Sequence, residues 1–177
     1  MTTMMLDPER IHKLTITDFL KNWHQIQHDA FPTIDGIMML DDIVGFVGEE
    51  EFKEFGLPYI KEIYDLPASV NLFHNDADCS TSVKFYPEMG VHIYNPGIQM
   101  TINELKAAID NKLTILGNIP PRDVLAAGSP LDVANAVGKL LEETGDHTRL
   151  ILSCGGGMPP GVSTENINAF LNKVKEY

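Results

Sequence analysis

Short apolar runs alternate along this chain with longer stretches in which apolar residues recur at helical spacing. The runs DGIMMLDD (35–42), VNLFHND (70–76), GVHIYNPG (90–97), LTILGNI (113–119) and RLILSCGGG (149–157) are strand-length and largely continuous in apolar character. Continuous rather than alternating runs are the pattern of strands buried on both faces of a parallel sheet. Between them, the spacing predicts a helix over 8–30, with Asp7 as N-cap, Pro8 in the first position and Ile11, Leu14, Phe19, Trp23 and Ile26 near one face. A second helical stretch covers 48–64, with Pro58 kinking or dividing it. Helices follow over 101–111, where Thr101 and Glu104 have capping-box spacing, over 129–145, with Ser129 as N-cap, Pro130 in the first turn and Gly145 as C-cap, and over 163–177, capped by Ser163. Five strands separated mostly by helices make an α/β fold. Without a linker or low-complexity stretch, residues 1–177 read as a single domain.

Composition narrows the function classes. The chain has 177 residues, 44% hydrophobic and 21% charged, the balance of a globular protein with a real core. Its net charge of −12, without a basic face, argues against nucleic acid and an anionic membrane surface as partners. The apolar runs fall well short of the ~20 residues a membrane span needs, and MTTMMLDPER lacks the basic and apolar regions of a signal peptide. Two cysteines, Cys79 and Cys154, make no disulfide framework, so a cytoplasmic location is expected.

Candidate chemistry collects where the strands end. Asp41 and Asp42 close the first run, His74 and Asp76 the second, Asn95 the third, Asn118 the fourth and Cys154 the fifth. In parallel α/β folds that end of the sheet carries the site. His74 and Asp76 are two apart, so they share a face at about 6.5 Å along the strand. With Cys154 they make a reasonable zinc donor set; a histidine beside carboxylates is equally an acid–base unit; and Asp76 and Asp78 could simply cap a turn while Cys154 packs as a small hydrophobe. The glycines of CGGGMPPG (154–161) let backbone amides approach a ligand or form an anion nest, or else they turn the chain sharply into its last helix. His24 and His28, four apart, and His12 read as a solvated helix face. His92 reads as a core or lining residue, Glu49–Glu51 as the acidic first turn of a helix, and Asp41–Asp42 as turn acids or a substrate-facing pair.

Three longer segments carry a resemblance. LTILGNIPPRDVLAAGSPLDVANAV, DGIMMLDDIVGFVGEEEFKEFGLPYIKEI and LILSCGGGMPPGVSTENINAFL resemble, respectively, the strand–GN–x–x–P–helix segment, the strand ending in Asp with its F–x–x–F–x–x–P–Y helix, and the last strand, glycine turn and closing helix of the uroporphyrinogen decarboxylase superfamily. The resemblance implies part of a TIM (β/α)₈ barrel, about five parallel strands of its C-terminal half, with the N-terminal strands apparently absent from 1–177. It implies one of two chemistries. One is cofactor-independent decarboxylation of uroporphyrinogen in porphyrin biosynthesis. The other is zinc-dependent methyl transfer between a methyl-corrinoid protein and a small acceptor.

In the methyltransferases the ligands come from an H-x-C motif and a later Cys in a G-C-G turn. Here the first motif reads His74-Asn75-Asp76 and the later position falls on Gly156, with Cys154 two residues before it. The expectation is therefore a corrinoid-linked methyltransferase with His74, Asp76 and Cys154 holding zinc, and with Asp41, His74 and Asp76 as catalytic residues. Asn118 of the GN motif, with Gly155 and Gly156 of the turn, is expected to bind the cofactor. A decarboxylase with Asp41 meeting pyrrole N–H groups, and a non-catalytic partner subunit, are the alternatives. Typical barrels take about 250 residues, and open strand edges invite pairing, so a homo-oligomer or pairing with a missing half-barrel is also expected.

Overall fold

Side-chain alternation in the strands decides how this protein is layered. The computed structural model describes residues 6–13, 16–33 and 35–177. Its strands are β1 (Gly36–Leu40), β2 (Val70–Asn75), β3 (Ile93–Pro96), β4 (Thr114–Leu116) and β5 (Leu150–Ile151). They form one five-stranded sheet in the order β1-β2-β3-β4-β5, and every neighbouring pair is parallel. A sheet in sequential order returns the chain over the same face after each strand, so the helices collect on one side. Phe73, Tyr94 and Ile115 are fully buried on that side, with Ile37, Met39 and Leu150 packed against the same cluster. On the opposite side Met38, Leu40 and Ile151 are 59%, 64% and 46% exposed. The expectation of strands covered on both faces therefore holds for one face only among the described residues. Sequential parallel order with helices on one face is the arrangement of a (β/α)₈ barrel, of which five strands are present here.

The helices are α1 (Pro8–Lys13), α2 (Thr17–Ala30), α3 (Glu49–Phe55), α4 (Leu57–Tyr64), α5 (Ile102–Ala108), α6 (Pro130–Thr144) and α7 (Thr164–Val174). The single helix expected over 8–30 is thus two, and Phe19, Trp23 and Ile26 are exposed rather than core-facing. Leu14, assigned to the same face, lies outside the described residues. The helix expected over 48–64 divides at Gly56, with Pro58 in the first turn of α4, where its missing N–H costs nothing. Capping boxes close α5 (Thr101 with Glu104) and α6 (Ser129 with Asp132), and Ser163 accepts from the Asn166 N–H at the start of α7. Among the described residues no helix is long and apolar enough to cross a membrane.

An aromatic cluster pins the end of β2. Phe73 and Tyr94 each meet Tyr86 edge to face, at 5.0 and 4.9 Å between centroids. Asn75, also buried, donates to the Tyr86 hydroxyl at 3.0 Å and accepts from the Ala77 N–H at 2.9 Å, while the Tyr94 hydroxyl donates to the Asn75 carbonyl. With Asn75 held toward the helices, strand alternation sends His74 the other way.

Candidate functional site

Three strand-end residues converge at the mouth of the sheet. Asp42 follows β1, His74 lies near the end of β2, and Asp76 follows it; one donor atom from each lies within 4.8 Å of the others. Asp42 and Asp76 are exposed and His74 is half-buried. The Asp76 N–H donates to Asp42 Oδ1 at 3.0 Å, which ties the two turns together.

His74 is oriented from β3. Register sets it beside Asn95, and the two side chains meet at 2.7 Å through His74 Nδ1 and Asn95 Oδ1. The Asn95 amide nitrogen donates to the Leu116 carbonyl at 2.5 Å and to the Cys154 carbonyl at 3.4 Å. That network fixes the amide orientation, so Oδ1 accepts and Nδ1 of His74 carries the proton. In its neutral form the ring carries its lone pair at Nε2. A histidine held this way by a fixed acceptor is prepared as a ligand or a base.

The structure sorts the other sequence candidates differently. Asp41 is half-buried, and its carboxylate accepts from the Ile43 N–H at 2.9 Å, capping the turn 43–46. Burial pushes its carboxyl above the ordinary range, against the pull of the Ile43 and Val44 N–H groups. It is Asp42, not Asp41, that joins His74 and Asp76. Asp78 caps its own turn, accepting from the Ser80 N–H at 2.9 Å.

Cys154 does not join the group. Its side chain packs with Ile119, Leu125, Val133, Val137 and Leu141 on the helix side of the sheet, and its thiol donates to the Gly156 carbonyl at 3.5 Å. The expected His74–Asp76–Cys154 zinc set is corrected accordingly. Leu150, Leu152 and Cys154 alternate toward the helices, the face opposite to that of His74.

The glycine turn still meets the mouth, though not as an anion nest. The Gly155 and Gly156 N–H groups donate to the Ile119 and Pro96 carbonyls, each at 2.9 Å, so neither amide is left for a cofactor. Gly156 sits at φ +69°, and a Cβ on it would lie 2.7 Å from Asp76 Oδ2. A Cβ on Gly155 would meet Ile98 at 2.7 Å. Asn118 gives both amide protons to the Gly97 and Met100 carbonyls, at 3.1 and 2.8 Å, and so braces the loop after β3 rather than facing a ligand.

Of the remaining histidines, His24 and His28 stack at 6.3 Å on α2, and His92 is exposed, accepting from the Asn71 N–H at 3.0 Å rather than sitting in the core. Asp42 and Asn95 are the site residues that sequence reasoning left out of its set. The available signals were Asp42's position next to Asp41 and Asn95's place at a strand end.

The family model described as uroporphyrinogen decarboxylase (URO-D) matches residues 1–177. The chain belongs to the uroporphyrinogen decarboxylase family. Among curated family members, the uroporphyrinogen decarboxylases of Chlorobium phaeobacteroides and Chlorobium phaeovibrioides are each 26% identical over 186 residues, covering 98% of this chain and 51% of the relative. That of Chloroherpeton thalassium is 25% identical over 184 residues, covering 96% and 49%. The chain thus spans about half the length of the curated URO-D relatives it matches. Among solved structures, a methyltransferase from Methanosarcina mazei superposes with a TM-score of 0.70 at 17% identity, covering 80% of this chain and 42% of that one. The likeness extends to the fold, and it agrees with a partial URO-D-type barrel.

Proposed function

We propose that the protein acts in methyl transfer between a methyl-corrinoid protein and a small acceptor, on the methyltransferase side of the URO-D superfamily, with zinc assisting. The observation that carries this reading is the charge of the mouth: the side chains gathered around His74 are the carboxylates Asp42 and Asp76. A polycarboxylate such as uroporphyrinogen meets like charge there, whereas a divalent cation meets an imidazole and two carboxylates, donors that fit zinc. The methyltransferase among solved structures lends support at the level of fold.

In this reading His74 and Asp76 belong to the ion, and Asp42 stands beside them. A bound zinc ion supplies Lewis acidity that lowers the pKa of an acceptor. The chain's own residues do the rest. Asn95 keeps the His74 proton on Nδ1, Asn75 and its tyrosines hold the β2 end still, and Gly156 leaves Asp76 its place. The acceptor would enter from the open face, over Met38, Leu40 and Ile151.

That exposed apolar face and the edges of β1 and β5, unpaired among the described residues, support a second part of the reading. A second copy, or a complementary half-barrel, covers them when the protein acts. Light scattering tests the first form: a mass above the 19.6 kDa of one chain is expected at micromolar concentration.

The direct test supplies methylcobalamin and a panel of small thiols to the zinc-loaded protein and follows the corrinoid absorbance. Demethylation that His74→Ala abolishes is expected; its absence with every acceptor, in the assembled protein, sinks the reading. Decarboxylation is the second reading, favoured by the curated relatives' name. Conversion of uroporphyrinogen without added metal would select it.

A further inference from the structure

We infer that α2 pairs with α2 of a second copy of this chain, antiparallel about a two-fold axis, through the stripe Ile16, Phe19, Trp23 and Ile26. Such pairing gives the second copy of the proposed reading a defined surface. It rests on that reading only in calling for an oligomer, and the reaction plays no part in it. Three observations support it.

Spacing is the first. The four residues follow one another in steps of three, four and three, which at about 100° per residue keeps them within about 80° of the helix circumference. They are 62%, 64%, 50% and 59% exposed. The contact of α2 with the rest of the chain lies to one side, where Leu20 is partly buried and Lys21 pairs with Glu62 of α4 at 2.6 Å. A narrow stripe with these steps is the seam that two helices make, whereas a helix laid on a sheet carries a wider apolar face. The stripe therefore fits another helix.

Area is the second. Fully buried, Phe and Trp hide about 150–250 Å² each and Ile somewhat less, so at these exposures the stripe leaves roughly 400–500 Å² open on each chain. That is as large as the largest apolar patch of an ordinary monomer. Two stripes face to face, with the polar side chains that flank them, reach the ~1,000 Å² that a specific interface needs.

Charge is the third, and it sets the direction. At −12, two copies repel each other over most of their surface. The stripe is flanked instead by the uncharged Asn22 and Gln27, with Asp29 in the last turn. Parallel pairing would bring the two Asp29 carboxylates together. Antiparallel pairing about Trp23 sets Phe19 against Ile26 of the partner subunit and sends each Asp29 to the first turn of the other α2. That turn is the positive end of the helix dipole, and its N-cap, Ile16, offers the N–H groups there no side-chain acceptor. Asp18, in the same turn, stands about 200° round the helix from Ile16, away from the seam.

Trp23 is the one tryptophan of the sequence, so its fluorescence reports this surface alone. Equilibrium sedimentation of the full chain, from low to high micromolar concentration, should show a mass rising from one 19.6 kDa chain to two. Trp23 emission should move to the blue, and its quenching by acrylamide should fall, over the same range. Phe19→Glu combined with Ile26→Glu should stay monomeric and red-emitting throughout, with parent-like circular dichroism because both side chains are exposed in the single chain. Asp29→Lys should raise the dissociation constant about tenfold, and more at low salt. A monomeric parent, a dimer that the double variant leaves intact, emission that does not follow mass, parent-like pairing in Asp29→Lys, or a blue shift seen only with phosphatidylcholine vesicles would each overturn the inference. A dimer indifferent to α2 leaves the proposed covering of the open sheet face standing, and a paired protein without methyl transfer sinks only the proposed reaction.

Discussion

Replacing Asn95 with leucine tests whether the site is assembled through β3. The two side chains are similar in size, so the substitution removes hydrogen bonds with little change in volume. Three are lost: the one accepted from His74 Nδ1 at 2.7 Å, the one donated to the Leu116 carbonyl at 2.5 Å, and the long one to the Cys154 carbonyl at 3.4 Å. A buried polar group left without a partner costs about 1–3 kcal/mol. His74 is half-buried and can recruit water, so its share lies at the low end, and the 3.4 Å contact adds little. The sum is about 3 kcal/mol. For a domain of this size that lowers the melting temperature by roughly 6–12 °C.

Urea denaturation followed by circular dichroism, with the slope held in common, reads the difference as a shift in midpoint. Asn95→Asp separates the two ends of the amide: it keeps an acceptor for His74 but sets a carboxylate oxygen against the Leu116 carbonyl. It should also be destabilised. A loss under about 1 kcal/mol in Asn95→Leu, or parent-like stability in Asn95→Asp, would refute the claim that this amide clamps the histidine.

Other consequences are as direct. Phe73→Ala, at a fully buried position between Tyr86 and Tyr94, should cost about 3–5 kcal/mol in the same assay. Gly156→Ala should cost about 1–2 kcal/mol through its left-handed backbone, with its Cβ pressed against the Asp76 carboxylate, measured as a shift in urea midpoint. The Glu104 carboxyl, held below its ordinary range first by the Thr101 N–H, and that of Asp132, held there first by the Ser129 hydroxyl, contribute stability that is present above their unfolded pKa values and lost as pH falls through the folded ones. Glu104→Gln combined with Asp132→Asn should therefore flatten the acid arm of the stability–pH curve below about pH 4.5, measured by urea midpoints at a series of pH values.

Local signals carried much of the fold. Thr101, Ser129 and Ser163 cap the helices they were assigned to, because a cap is a contact within four residues and needs nothing from the rest of the chain. The five apolar runs became the five strands, since a strand packed against helices carries apolar side chains on that face. The strands are shorter than their runs: β5 keeps two residues of 149–157, and the bridge between Ile119 and Cys154 continues it only in part. Apolar character marks what is buried, and the hydrogen-bonded ladder marks what is paired; at the mouth the two part company.

The site was half legible. The spacing of His74 and Asp76 put them on one face, because a strand has a period of two. The same rule could not say which face of β5 holds Cys154, since that depends on register with β4 and on where α6 and α7 settle. Nor could it choose between Asp41 and Asp42, which are adjacent and chemically identical. The turn at Ile43 takes one carboxylate as its cap and leaves the other to the mouth.

By itself, then, the order of residues determined the five strands and their parallel class, the caps of the later helices, and the pairing of a histidine with a carboxylate two positions on. These depend on periods and caps that act within a few residues. Only the tertiary structure decided that the thiol faces the helices, that Asn95 governs the histidine's proton and that Asp42 completes the group, because each is settled by the register of one strand against another and by the packing of helices on one side of the sheet.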